Sequence, residues 1–307
     1  MKHALLQMHL AVLLWGFTGV LGRAIALDAP VLVWYRMGLT AIFVFIIIAS
    51  RRLNWHVTRT DFFRMGLIGW LMALHWVAFF GAIKLANASI ALVCLSTAGI
   101  FTSLADAILN KKKLIPQEIG IGLMALLGVF IMYALPLVFP FLYAQQSMVL
   151  QSMPHRDLGI LCGVTAAILS SIFTVLNKRL TPAYPSRVLV FYEMGTGWLF
   201  ITLLLPFLMF SSPEMDWFPS ATDWVWLAVL SLCCTVWAQS LALHALRIIS
   251  SFTATLSVNL EPIYGMILAF IFYQENQELS WAFYVGLFFI LLSVGLQMLL
   301  LKQKKLA

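Results

Sequence analysis

Ionisable side chains interrupt the long apolar stretches of this sequence at only a few positions. Glu261 lies near the middle of the apolar stretch 250–273, and Arg36, Glu193 and His75 lie within three other stretches. A charge in the hydrocarbon of a bilayer costs at least about 2.5–3.5 kcal/mol, so a side chain retained there is a functional candidate. The chemistry available to these four groups is the binding of a proton or of a polar ligand.

Glu261 stands beside a proline at mid-stretch. It lies about eleven residues into its stretch, which at 1.5 Å per residue is a depth of about 16 Å. Pro262 removes one backbone hydrogen bond and favours a hinge, so we expect Glu261 and the preceding Asn259 to bind cargo or a proton at a broken helix. The alternative is a protonated glutamic acid that only hydrogen-bonds between helices.

Arg36 and Glu193 lie about 10 Å inside their own stretches and carry opposite charges. An ion pair between them is one possibility, and its formation in one conformation alone would make a gate. The other is that each side chain extends to its nearer interface. His75 has a near-neutral pKa in water, which suits a proton-coupled step, or it is a buried histidine bonded to a neighbouring helix.

Aromatic and amide side chains complete the set of candidate binding residues. Trp15, Trp76 and Trp237 offer ring faces on which an apolar or cationic group can stack. Asn177 and Gln239 offer amides that coordinate polar cargo, or that join helices at about 0.6 kcal/mol each.

Motifs for other functions are missing from the sequence. The four cysteines fall in apolar stretches without C-x-x-C spacing, and the six histidines lack H-E-x-x-H spacing. Basic residues form short clusters between apolar stretches, which suits an anionic leaflet better than nucleic acid. We therefore expect no catalytic residues, no metal and no cofactor, and a protein that is not an enzyme and has no nucleic-acid partner.

The amino-acid composition indicates that these residues lie in a bilayer. Of 307 residues, 62% are hydrophobic and 10% are charged, against about a quarter charged in soluble domains. About 20 apolar residues cross the hydrocarbon as a helix. This ruler predicts an all-α integral membrane protein with ten transmembrane helices, near 4–26, 30–50, 65–84, 87–109, 114–134, 158–178, 187–210, 223–244, 250–273 and 281–301.

The distribution of Lys and Arg predicts the orientation. A cytoplasmic N-terminus puts fifteen of the nineteen basic residues on the cytoplasmic side, as the positive-inside rule requires. An even number of spans returns the C-terminus to the same side. We therefore expect a multi-pass protein of a bacterial inner (plasma) membrane with both termini cytoplasmic.

An internal repeat relates the two halves of the chain. Residues 33–38 return at 190–195, an offset of 157, and residues 84–111 align more weakly with 247–274, an offset of 163. Five spans separate each pair, so the second copy enters the membrane from the opposite face. This predicts two inverted five-helix repeats, 1–144 and 158–307, joined by a periplasmic connector, 145–157. Chance similarity between apolar segments is the alternative.

The chain resembles the EamA-type branch of the drug/metabolite transporter superfamily. The resemblance rests on Trp15-Gly16, Tyr35-Arg36, Leu260-Glu261-Pro262 and the acidic end of Ile271-Phe272-Tyr273-Gln274-Glu275. The first half ends the corresponding helix with Asn110-Lys111-Lys112-Lys113, where the family usually has a glutamate. The resemblance implies export of amino acids, related metabolites or amphipathic compounds.

Together these patterns predict a secondary transporter of a small, partly apolar metabolite that works by alternating access. Its partners would be the cargo, the lipid bilayer and, if transport is coupled, protons, and we expect a monomer or weak dimer. The sequence leaves open the cargo, the direction and the coupling. A membrane-embedded enzyme and a non-transporting receptor or scaffold are the alternatives.

Overall fold

The computed structural model describes residues 2–138, 155–211, 214–258, 260–277 and 279–306, and all regular secondary structure within these ranges is helical. A π-helical segment, Leu232–Trp237, joins two of the α-helices. The α-helices are α1 Lys2–Ala24, α2 Ala29–Ser50, α3 Arg59–Leu85, α4 Ala88–Leu95, α5 Ala98–Asn110, α6 Pro116–Val138, α7 Arg156–Leu180, α8 Ser186–Ser211, α9 Ala221–Ser231, α10 Ala238–Leu246, α11 Ser251–Val258, α12 Glu261–Tyr273 and α13 Trp281–Leu306.

Seven helical segments of the described residues are long and apolar enough to cross a membrane. Three shorter apolar helices, Pro116–Ile131, Glu261–Tyr273 and Trp281–Ser293, lie within the fifth, ninth and tenth predicted spans. Large apolar side chains point away from the bundle, as with Phe210 at 89% exposure and Leu203 at 78%. Lipid rather than water suits such a surface, so this is a multi-pass membrane protein.

Polar caps begin several helices where the sequence turns. Thr58 accepts a hydrogen bond from the Asp61 backbone N–H at 3.1 Å and so begins α3. Asn87 does the same for Ile90 at 2.8 Å and begins α4. These side chains satisfy backbone donors that have no partner within the helix.

Two of the predicted spans are each broken into two helices. The predicted span 87–109 forms α4 and α5 with a break at Ser96 and Thr97, whose hydroxyls donate back to the Val93 and Cys94 carbonyls at 2.6 and 2.7 Å. Such bonds compete with the helical ladder. The second broken span, 250–273, forms α11 and α12.

The second break differs from a simple bend. Pro262 stands in the first turn of α12, where its missing N–H has no helical partner to lose. The hinge predicted at Pro262 is therefore the start of a new helix. Asn259 and residues 145–154 of the predicted connector lie outside the described residues.

The half-helices α5 and α12 match each other closely. Each has 13 residues. Each is followed by a residue in the left-handed backbone conformation, Lys111 with φ 51° and Gln274 with φ 53°. These two residues are aligned by the offset of 163 found in the sequence.

Packing between the two halves of the chain builds the core. Helix α3 packs on α7 and α8, α2 packs on α8, and α1 packs on α10 and α12. Helices α6 and α13 pack chiefly on each other, beside this core. The first four predicted spans of each half, the first to fourth and the sixth to ninth, thus surround the molecular centre.

Gly69 allows α3 to approach α8 closely, which leads to a stability prediction. A Cβ at Gly69 would overlap the Glu193 carbonyl oxygen and the Thr196 hydroxyl. We expect Gly69→Ala to lower the free energy of unfolding by about 1–3 kcal/mol, the cost of overpacking. The measurement is the thermal midpoint of the purified protein in lipid nanodiscs.

Gly66, one turn earlier on the same helix, is the matched control. The nearest atom to an added Cβ there is the Thr196 Cγ2 at 3.9 Å. Alanine is the better helix former by roughly 0.5–1 kcal/mol, so Gly66→Ala should leave the midpoint unchanged or raise it. Equal midpoints for the two variants would contradict the close approach.

Candidate functional site

A cavity lies at the centre of the bundle, between the halves. The centres of water molecules can occupy a volume of about 110 Å³ in this cavity. Eight of its lining residues are polar or charged, and the others are mainly aromatic or aliphatic. The polar and charged lining residues are Thr18, Arg36, His75, Ser170, Thr174, Asn177, Gln239 and Glu261.

Seven of the candidate residues from the sequence meet around this cavity. They come from six different helices and from both halves of the chain. The seven are Trp15, Arg36, His75, Trp76, Asn177, Gln239 and Glu261.

The Arg36 side chain is held by neighbours from two other elements, the π-helical segment and α3. It is 1% exposed, and its Nε donates to the Thr235 hydroxyl at 3.0 Å. Its guanidinium carbon lies 3.7 Å from the Trp76 ring centroid, a cation–π geometry. These contacts fix the direction of the guanidinium at the cavity wall.

Thr235 reaches Arg36 because the backbone there is π-helical. The Thr235 hydroxyl donates to the Leu230 carbonyl, five residues back, at 2.9 Å. A π-turn inserts one extra residue and so rotates the side chains that follow it. This device gives Arg36 its hydrogen-bond acceptor.

Glu261 is the acidic group of the cavity. It is 5% exposed and is the first residue of α12, so its carboxylate lies at the positive end of that helix dipole. Arg36 is the basic group that lines the same cavity. Among the described residues no direct ion pair within 4.0 Å joins it to Glu261. A guanidinium and a carboxyl group thus face the same cavity without contact.

His75 is anchored through its Nδ1 nitrogen. Its Nδ1 lies 2.8 Å from the Ala166 carbonyl, which only accepts, so Nδ1 carries the hydrogen. The ring packs edge-on against Phe173 with centroids 5.3 Å apart. The His75 ring also lines the cavity.

Trp237 and Glu193 are the described binding candidates that do not line the cavity. Trp237 is 59% exposed on the outer surface, because two residues along a helix rotate by about 200° and Gln239 faces inward. Its repeat equivalent, Leu74, is likewise exposed beside the buried Trp76. Glu193 is fully buried, and Arg36 contacts Thr235 and Trp76 instead of pairing with it.

Several residues of the site were missed by the sequence reasoning. Thr18 and Phe79 line the cavity one turn from Trp15 and His75, so helical spacing from those candidates was the available signal. Thr235 had no such signal, because it reaches Arg36 through a π-turn that residue types do not reveal.

A second polar cluster, which we call the roof network, closes one end of the bundle. It consists of Arg23, Ser89, Tyr273 and Glu275. Arg23 pairs with the fully buried Glu275 at 2.5 Å and lies 4.7 Å from the Tyr273 ring centroid. Ser89 donates to Glu275 from its backbone N–H at 3.0 Å and from its hydroxyl at 2.6 Å. The network ties α1 and α4 to the end of α12.

The cavity reaches much closer to the opposite end of the bundle. There it extends to Leu246, the last residue of α10. Towards the roof network it stops at Thr18, Arg36 and Phe79, which lie six or seven residues from the helix ends Ala24, Ala29 and Leu85. At 1.5 Å per residue this leaves about 10 Å of packed protein under the roof network.

Comparisons with known proteins match the chain along nearly its whole length. The model of the EamA-like transporter family matches it twice, at residues 2–134 and 157–299. A solved structure described only as the crystal structure of a protein is similar, with a TM-score of 0.65 and 17% identity over 97% of this chain and 98% of its own. That likeness shows a shared fold. No protein with a curated description matches the chain.

Proposed function

We propose, from the premise that this chain belongs to the EamA-like transporter family, that it carries a small zwitterionic metabolite, such as an amino acid with an apolar side chain, by alternating access. Members of this family are transporters rather than enzymes. The drug/metabolite transporter superfamily, to which the family belongs, thus gives the class of activity. The cavity supports the class of cargo.

The observation that carries the proposal is the pair of opposite charges at the cavity. An α-amino acid places an ammonium and a carboxylate a few ångströms apart. Glu261 would accept from the ammonium, and Arg36 would donate to the carboxylate, in charge-assisted hydrogen bonds. The rings of Trp15, Trp76 and Phe173 would contact the apolar side chain of the cargo.

We further propose ten membrane spans in two inverted repeats, 1–144 and 158–307. Three observations support this arrangement. The family model matches once in each half. The half-helices α5 and α12 have equal lengths and aligned left-handed ends. The packing of α3 on α7 is repeated, by the same pseudo-symmetry, in the packing of α10 on α1.

Alternating access then follows from the two ends of the bundle. With both termini cytoplasmic in a bacterial inner membrane, the roof network faces the periplasm and the cavity extends towards the cytoplasm. The structure corresponds on this orientation to a state that loads cargo from inside. Opening of the roof network would release the cargo outside, which is the direction of export.

The test is uptake of radiolabelled phenylalanine by proteoliposomes that hold the purified protein. Unlabelled phenylalanine should compete at least about tenfold better than phenethylamine, which lacks the carboxylate, or 3-phenylpropionate, which lacks the ammonium. The reason is that one charge-assisted hydrogen bond contributes about 1.5–3 kcal/mol, and about 1.4 kcal/mol is tenfold in affinity.

Protein-free vesicles provide the background, and labelled leucine provides a second apolar zwitterion. Equal competition by either singly charged analogue would contradict the two-charge binding mode. Uptake of neither amino acid above the background would contradict the cargo class altogether.

A further inference from the structure

Glu193 is a buried acid that the transport site leaves unused. It lies on α8, is 0% exposed and does not line the cavity. Neither of its carboxylate oxygens accepts a hydrogen bond of normal geometry from a described residue. An ionised carboxylate in such surroundings is strongly disfavoured, because nothing replaces the water that it loses. This group therefore needs either a donor or a proton.

Asn177 is the polar neighbour that connects Glu193 to the cavity. Its side chain interacts with the Glu193 carboxyl and also lines the cavity. The Asn177 Oδ1 is itself buried and accepts no hydrogen bond from the described residues. Three buried acceptor oxygens, two of Glu193 and one of Asn177, are thus left without a hydrogen bond from the described residues. A proton on Glu193 gives an O–H that donates to Oδ1 and so satisfies both side chains.

The other ionisable groups on the surrounding helices are engaged elsewhere. On α2, Arg36 bonds Thr235, and on α3, His75 bonds Ala166 while Asp61 pairs with Arg64 at 2.9 Å. His244 on α10 is exposed, and Lys178 and Arg179 beside Asn177 bond carbonyl or amide oxygens of Leu246, Ile249, Leu109 and Asn110. The remaining charged groups of α3 are Arg59, its exposed first residue, and Lys84, near its far end, which bonds the Ile25 carbonyl.

We propose that Glu193 is a proton-binding site of this transporter, and that its protonation state determines which end of the Asn177 amide, NH₂ or Oδ1, faces the cavity. With Glu193 protonated, its O–H donates to Oδ1, and the Asn177 NH₂ faces the cavity. When the O–H bond breaks, the proton passes to cavity water. The Asn177 side-chain amide then rotates, so that its NH₂ donates to the carboxylate and its Oδ1 faces the cavity.

This rotation of the Asn177 amide couples the release of the proton to the binding of cargo. Oδ1 at the cavity accepts from an ammonium, whereas NH₂ at the cavity repels it. Cargo therefore binds best when Glu193 has released its proton, and by reciprocity bound cargo promotes that release. A carrier of this kind exchanges protons for cargo, so an inward proton gradient would drive export. The inference rests on the proposed function for its cargo, but the proton site is testable without cargo.

Infrared difference spectra between acidic and alkaline pH test the site directly, with the full chain in phosphatidylethanolamine–phosphatidylglycerol vesicles. We expect a carboxylic-acid C=O band that Glu193→Gln removes. Asn177→Leu should keep this band but move it to higher frequency, because the O–H loses its acceptor. A purely structural role of Glu193 would not produce this shift.

Glu261→Gln is the control that identifies the band of the other buried acid. If Glu193→Gln leaves every carboxylic-acid band in place, the proton site is wrong. If Glu193→Gln does not give a monodisperse protein, the band shift in Asn177→Leu decides, and an unshifted band overturns the proposal.

Transport provides the second readout, with labelled phenylalanine as the probe. A pH gradient should change the rate of uptake by the wild-type protein and have no effect on Glu193→Gln. A gradient effect that persists in this variant would contradict the coupling. Failure of the wild-type protein to move phenylalanine would instead count against the cargo class, since the infrared result requires no cargo.

Discussion

Glu261→Gln is expected to slow phenylalanine uptake by proteoliposomes at least about tenfold. The glutamine keeps the shape of the side chain but removes the negative charge at the start of α12. The cargo ammonium then loses a charge-assisted hydrogen bond that contributes about 1.5–3 kcal/mol. The measurement is the initial rate of uptake together with the ranking of competitors.

The competitors distinguish a lost charge from a damaged fold. In Glu261→Gln, phenethylamine should lose its remaining competition while 3-phenylpropionate retains it through Arg36. Glu214→Gln removes an exposed carboxylate outside the cavity and should leave uptake unchanged. An unchanged rate in Glu261→Gln would remove that carboxylate from the mechanism.

Arg36 is the proposed binding group for the cargo carboxylate, as Glu261 is for the ammonium. Its contacts require the shape of a guanidinium as well as its positive charge. Its guanidinium combines the Thr235 hydrogen bond with the contact on Trp76. A lysine has neither the planar fork nor a guanidinium face to stack. Arg36→Lys should therefore show the opposite change in ranking, with weaker competition by 3-phenylpropionate and retained competition by phenethylamine.

Glu275→Gln is expected to open the roof network. The variant removes the negative charge that pairs with Arg23 and weakens the acceptor for Ser89, in a group that is fully buried. A charged hydrogen bond of about 1.5–3 kcal/mol is lost from the closed state alone, so the open state gains about tenfold or more in population. Access from the periplasm to the cavity should rise accordingly.

Labelling of an introduced cysteine measures that access. Thr18→Cys, at the roof-side limit of the cavity, is placed in a chain whose four native cysteines are replaced. A membrane-impermeant maleimide added outside should label this cysteine about tenfold faster when Glu275→Gln is present. Faster labelling from the cytoplasmic side instead would reverse the proposed orientation.

The exposed ion pair between Lys112 and Asp106 is the matched control. It joins the two side chains at 2.8 Å but leaves the Lys112 side chain 62% exposed. Such pairs contribute about 0–1 kcal/mol, so Lys112→Gln should not change the labelling rate. Equal effects of Lys112→Gln and Glu275→Gln would contradict the roof network as a gate.

The two ends of the bundle differ in chemistry as well as in packing. The end of α12 supplies the buried Glu275 to Arg23. The end of α5 supplies a neutral side chain instead, since Arg179 bonds the Asn110 amide oxygen at 2.7 and 2.9 Å. A hydrogen bond between two charged groups is stronger than one to a neutral amide. We therefore expect the roof network to open less readily than the contact of Arg179 with Asn110, which favours the state that the structure shows. The first half thus has Asn110-Lys111-Lys112-Lys113 where the second half has the carboxylate of Glu275.

Much of this protein follows from its sequence alone. Apolar stretches of membrane length, the bias of basic residues and a carboxyl beside a proline at mid-depth are local patterns, and local patterns dictate the class of fold and most of the candidate residues. The offset of 163 aligns Ser96 and Thr97 with residues 259 and 260, but a break was predicted only beside Glu261, and the span 87–109 was predicted as one helix.

Only the tertiary structure decided which side chains meet. Depth along a helix can be counted from the sequence, but rotation about the helix axis depends on every neighbour that the helix packs against. That rotation turned Trp237 outward, brought Arg36 to Trp76 and to the cavity of Glu261 instead of to Glu193, and set Asn177 between Glu193 and the cavity. The π-turn at Leu232–Trp237 also rotates the side chains that follow it, and the residue types there do not predict such a turn.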